Sequence, residues 1–164
     1  MRRFGKILAI AALAMVSYSA HAELAPQWSK GTIVANAGVG ISPIGATVSV
    51  DYVLVDEWWM GHFTVGGELD FSKPYDKEVA IGVTPRATYG LNITDQFEVH
   101  ATAQVGFGMR SWEYYDGTKD KKTFMIWDDF LGCRYFFADN IAAFAEVGYS
   151  GWFPAMRAGI SFKF

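Results

Sequence analysis

The stretch Ala155-Met156-Arg157-Ala158-Gly159-Ile160-Ser161-Phe162-Lys163-Phe164 alternates apolar side chains with polar or small ones and ends on an aromatic residue. Successive side chains of a strand point to opposite sides, so Met156, Ala158, Ile160, Phe162 and Phe164 share one face. Arg157, Gly159, Ser161 and Lys163 share the other. An uncovered strand with Phe162 and Phe164 on its apolar face is an aggregation-prone edge that a soluble protein has reason to avoid. Lipid can supply the cover.

The same period of two, punctuated by Gly, Asn, Asp and Pro, recurs in seven upstream segments. They run from about Gly31 to Ile41, Ala46 to Leu54, His62 to Phe71, Val79 to Leu91, Phe97 to Met109, Leu131 to Phe137 and Ile141 to Tyr149. Pro85 falls inside the fourth, where proline removes a ladder donor, and predicts a bulge. Asp128-Asp129 disturbs the phase ahead of Leu131 and predicts a bulge or a place at the membrane edge. An even number of strands closes an up-and-down sheet with both termini at one end, satisfying every backbone group. The reading is all-β: an eight-stranded antiparallel up-and-down transmembrane β-barrel in which the last strand pairs with the first. Turns near Asp95 and at Ala138-Asp139-Asn140 then share the end of the termini. Ser72 to Glu78 and the longer Glu113 to Lys122 lie opposite, an asymmetry that fits periplasmic turns and surface loops.

The amino-terminus points to the same address. Arg2, Arg3 and Lys6 precede the apolar run Ile7 to Val16, and Ala20-His21-Ala22 fits the small-x-small cleavage rule. This is the pattern of a secretory signal peptide over 1–22, leaving a single barrel domain over 23–164. No stretch approaches the ~20 apolar residues of a spanning helix. Removing the three basic residues of the leader takes the formal charge from −3 to −6, which excludes nucleic acid as an expected partner. Cys133 is the one cysteine, so no internal disulfide forms. A buried or lipid-facing role is expected for it.

The polar face decides which side is inside. It carries many Gly, Ser and Thr, with Asp51, Glu68, Asp70, Glu98 and Glu146 set against Arg86, Arg110, Arg134, Arg157 and Lys163. Five acids against five bases read as a neutralised lumen, because unpaired charge in a cramped interior is strongly unfavourable. A soluble carrier with the apolar face lining a cavity fits this poorly. Trp58, Trp59, Phe97, Phe137 and Phe164 gather at one set of strand ends, and Phe71, Tyr75, Trp112, Tyr114, Tyr115, Trp127 and Trp152 at the other. Two such girdles are what bilayer interfaces select.

The signal peptide, the hairpin from Leu131-Gly132-Cys133-Arg134-Tyr135 through Ala138-Asp139-Asn140 to Ala145-Glu146-Val147-Gly148-Tyr149, and the terminal Ile160-Ser161-Phe162-Lys163-Phe164 together resemble the small eight-stranded outer-membrane barrels, the class of OmpX and the transmembrane part of OmpA. The resemblance implies a bacterial outer-membrane location after export through the inner membrane. It also implies outer-membrane lipid and lipopolysaccharide as surroundings, and periplasmic chaperones and the barrel-assembly machinery as partners. The machinery would read Ile160, Phe162 and Phe164 as its carboxy-terminal signal. The chain departs from full-length OmpA in that no peptidoglycan-binding domain is expected after Phe164. Its surface loops look short beside adhesin-type relatives.

Chemistry on this scaffold is sparse. A Ser/His/acid site needs a base within reach of a nucleophile. His100, Thr102 and Glu98 approximate one, but a threonine stands where a lipid A deacylase has serine, and the face points into the lumen. His62, His100 and Glu98 could approach a metal, yet no ligand spacing supports a site. The reading assigns no catalytic residue, metal or cofactor. An interior charge network of Asp51, Glu68, Arg86, Arg134, Glu146 and Arg157 is expected to plug the lumen, with Arg134 and Glu146 as its central pair and a potential gate. The expected function is a monomeric, non-enzymatic structural or surface barrel. The alternatives are a narrow pore or OmpW-like transporter, and a lipid A-modifying enzyme.

Overall fold

The computed structural model describes residues 28–114 and 117–164. The leader, and Tyr115 of the aromatic girdle, lie outside the described residues.

Eight strands follow in order: β1 (Ile33–Ile41), β2 (Ile44–Trp58), β3 (Gly61–Tyr75), β4 (Glu78–Asn92), β5 (Phe97–Glu113), β6 (Lys119–Ala138), β7 (Ile141–Tyr149) and β8 (Met156–Lys163). Each pairs antiparallel with its sequence neighbour, and β8 returns to β1 to close the barrel. The closing ladder sets Ala35 against Phe162 and Ala37 against Ile160. Beyond it, Ile33 and Phe164 exchange backbone hydrogen bonds of 3.1 and 2.9 Å, so the last residue completes the wall.

Alternation positions the side chains as expected. Val48, Val50 and Tyr52 of β2 point outward and are exposed, while Thr47, Ser49 and Asp51 between them are buried. The expected bulges are absent. Val83 pairs with Phe107 and Arg86 with Gln104, so the β4–β5 register is unchanged across Pro85. The missing N–H costs ladder bonding locally without inserting a residue. The β5–β6 ladder likewise runs unbroken from Phe97↔Tyr135 to Glu113↔Lys119, carrying Asp128 inward and Asp129 outward. The irregularities fall in β2, between Val53 and Trp58, and at strand ends.

The sixth strand differs most from the sequence reading. It starts at Lys119 rather than near Leu131, and Lys119 to Lys122, expected in a surface loop, pair with Arg110 to Glu113. Lys119 to Thr123 carry no apolar alternation because both faces of this ribbon lie above the apolar belt. On its other side β6 pairs with β7 only from Asp129 to Ala138, so the β5–β6 ribbon rises above the short β7–β8–β1 wall.

Candidate functional site: a charged layer between two apolar plugs

The lumen is filled in three layers. At the end where β1 begins and β8 finishes, Trp28 turns back into the barrel and is buried with Val34, Val53, Phe136 and Ala142. Its ring lies 4.9 Å from that of His62 and 5.5 Å from that of Phe136, with the Arg134 guanidinium 5.3 Å from its centroid. Gly31, at a φ of 96°, makes the turn that brings Trp28 back, and its N–H donates to the Val53 carbonyl at 3.0 Å. At the opposite end the 150–155 connection folds inward. Phe153 is buried against Ala80 and Ile126, flanked by Phe124 and Trp152.

Between these plugs lies the charged layer, built by strand register. Glu98 faces Arg134 directly across β5–β6, and Glu146 faces Arg157 across β7–β8. Arg134 Nη1 donates to Glu98 Oε1 at 2.7 Å and Nε to Ser161 Oγ at 3.0 Å. Arg157 pairs through Nε with Glu146 and through Nη1 with Glu68, and lies 3.8 Å from Asp70. Arg86 crosses the lumen to Glu68, to Asp51 at 3.3 Å and to Glu146 at 3.5 Å. His100 Nε2 donates to Glu146 Oε1 at 2.9 Å, and its Nδ1 lies 3.1 Å from Glu98. That histidine joins the Glu98–Arg134 pair to the rest.

All six residues expected in the network are therefore buried in one connected layer, but with different partners. Arg134 and Glu146 do not form the central pair: opposite Glu146 on β6 stands Gly132, and opposite Arg134 on β7 stands Phe144. Nor is the lumen a balance of five acids and five bases. Among the described residues six buried carboxylates, Asp51, Glu68, Asp70, Glu98, Asp128 and Glu146, meet three buried guanidiniums, Arg86, Arg134 and Arg157. Arg110 and Lys163 share the inner face but lie at the mouths. Arg110 forms an ion pair with Glu78, Nε to Oε1 at 2.8 Å, and stacks on Trp152, and Lys163 lies over Trp28 and Phe136. Alternation gives a face and not a height.

Both histidines fit because glycines face them. A Cβ on Gly90 would stand 2.3 Å from His62, and one on Gly132 would stand 2.4 Å from His100 Nε2. The hydroxyl of Thr102 hydrogen-bonds that of Thr88 at 2.8 Å and lies 3.4 Å from Arg86, while His100 is turned to the two glutamates. His62 Nε2 lies 3.8 Å from Glu98. Among the described residues no group of three His, Cys, Asp or Glu side chains is placed to hold a metal ion. Ile160, Phe162 and Phe164 all point outward near the end that carries the termini.

No protein-family model matches the chain. No curated protein matches it in sequence. Solved structures do match in shape. The N-terminal β-barrel domain of Pseudomonas aeruginosa OprF superposes with a TM-score of 0.62 at 14% identity, over 84% of this chain and 100% of that one. Neisserial surface protein A gives 0.51 at 15% identity over 81% and 95%. The Yersinia pestis outer membrane protein Ail in a phospholipid bilayer nanodisc gives 0.50 at 14% identity over 81% and 97%. At such identities the likeness speaks for the fold, and the fold of this chain is that of the eight-stranded transmembrane β-barrels of bacterial outer membranes.

Proposed function

We propose that this chain is an integral outer-membrane barrel with a non-enzymatic structural or surface role and a closed lumen. The observation that carries the reading is the layering: Trp28 with its apolar cluster, the salt-bridged middle, and Phe153 with Ala80 and Ile126 lie in series along one narrow interior. An eight-stranded barrel is just wide enough for side chains to fill. Here aromatic and charged groups fill it at successive levels, leaving a solute to displace both plugs and an ion-pair network. A lipid A-modifying enzyme is less well supported, because His100 and Glu98 are buried and engaged with Glu146 and Arg134. On this reading the leader is cleaved after export, the outward face meets lipid and lipopolysaccharide, and the barrel works as a monomer. The β5–β6 ribbon is its most prominent surface feature.

Conductance tests the closed lumen. In planar bilayers the wild-type barrel is expected to give no single-channel steps, and liposomes containing it should not swell in small sugars. Replacing both Trp28 and Phe153 by alanine removes the aromatic side chain from each plug and should raise ion leak measurably. Steady wild-type steps that change on Glu146→Ala or Arg134→Ala would replace the closed barrel with a gated pore.

A further inference from the structure

One side chain on the outer wall breaks the pattern set by all the others. Across the apolar belt every outward position of the eight strands is apolar, small, Pro or Tyr except Asp129. Its carboxylate is exposed on that face, and among the described residues it makes no ion pair or hydrogen bond. It does not sit at the end of its strand's apolar run: Trp127 and Met125 follow above it and Leu131, Cys133 and Tyr135 below. Its neighbour on β5 is Ala103, flanked outward by Val105 and Ala101. On β7 it faces Tyr149, the last residue of that strand. Charge on the lipid face of a barrel is unfavourable in a depth-dependent way, less so for a carboxylate and near an interface. Asp129 stands one outward position from the girdle residue Trp127, at the level where a cationic headgroup can meet it.

A groove begins one pair below it. The outer wall of β6, β7, β8 and β1 is floored by small side chains, with Ala145 against Ala158 and against Cys133. Leu131, Val147 and Met156 flank this floor, and the depression measures about 690 Å3. Leu131 and Val147 form the pair next to Asp129 and Tyr149, so the carboxylate heads the groove.

We infer that this wall binds a membrane-borne amphiphile with an ammonium headgroup, its alkyl chain in the groove and its ammonium group on Asp129. Charge complementarity selects the headgroup, and the apolar floor selects the chain. A ligand that enters from lipid reaches both at once. The inference rests on the outward face being the lipid-facing one.

The test uses the full barrel in bilayers of a neutral galactolipid, whose headgroup carries no ammonium group, with three nitroxide-labelled probes of equal chain length: an alkylamine, an alcohol and a carboxylic acid. Electron paramagnetic resonance reads the fraction of each probe that the protein immobilises. The amine is expected to associate about threefold or more above the alcohol. Asp129→Asn, nearly isosteric, should bring amine and alcohol to parity. Ala145→Phe, which fills the floor, should lower the immobilised fraction of all three. Equal association of amine and alcohol with the wild type, or an amine preference that survives Asp129→Asn, overturns the inference. A change in oligomer size on Asp129→Asn without a change in probe preference overturns it in favour of a basic group on a partner protein. If the barrel does not insert, scored by its resistance to carbonate extraction, the membrane reading fails first and this inference with it. Parity in an inserted barrel removes this inference alone.

Discussion

Glu146→Ala should lower the stability of the folded barrel by about 3–5 kcal/mol, the range seen when one partner of a buried ion pair is removed. The reason is the number of buried donors that would lose an acceptor together, although Arg157 and Arg86 keep Glu68 as a counter-charge. Glu146 accepts from Arg157 and from His100 at 2.9 Å, and meets Arg86 at 3.5 Å. The cations that remain cannot move to water, because the plugs lie above and below them. The pair itself is not a large net stabiliser, since desolvation offsets most of its Coulomb energy. A second prediction about sign follows from that balance. Adding Arg157→Ala to Glu146→Ala should recover part of the loss, although Arg157 also serves Glu68. Urea unfolding in detergent, followed by the gel shift between folded and unfolded barrel, measures both. A Glu146→Ala midpoint equal to that of the wild type would show that the charged layer is open to water.

Deleting Phe162 to Phe164 should abolish stable assembly. These residues pair with Ala35, Val34 and Ile33 on one side, and Phe162 pairs with Ile141 on the other. Their loss opens the seam and leaves backbone groups without partners, each costing on the order of several kcal/mol in hydrocarbon. The single change Phe164→Ala separates closure from recognition, because it keeps every backbone pair. If the terminal aromatic is read by assembly machinery, Phe164→Ala should refold in detergent like the wild type yet give a lower folded yield in cells. Equal yields in cells would limit the terminal strand to closing the barrel.

Fold and faces were legible in the sequence because a half-buried strand writes a period of two, and seven of the eight strands carry it through most of their length. The eighth case shows the limit. The upper quarter of β6, Lys119 to Thr123, faces water on both sides, so no apolar period marks it as a strand. Register is not legible either: Arg134 and Glu146 stand on strands joined by one hairpin and read as a pair, whereas the cross-strand neighbour of Arg134 is Glu98. Height was hidden for the same reason, and Arg110 and Lys163 fell into the lumen's charge count although they sit at its mouths. Asp128 reads as a break in phase, yet it faces inward in an unbroken ladder. The plugs left no periodic signal at all. Trp28 and Phe153 come from irregular segments, and only the closed wall around them makes their burial unavoidable. Phe153 fits because Gly82 faces it, where a Cβ would stand 2.7 Å from the ring.

Whether the outward face of the barrel meets lipid is tested directly by a nitroxide scan of β2 from Ala46 to Leu54 in bilayers. Relaxation by oxygen, which concentrates in hydrocarbon, should peak at Val48, Val50 and Tyr52 and fall at Thr47, Ser49 and Asp51. Relaxation by a water-soluble nickel chelate should be low at all six, outward because of lipid and inward because the lumen is closed. If the chelate relaxes Val48 and Val50 more strongly than oxygen does, the apolar face lies in water and the membrane assignment is wrong.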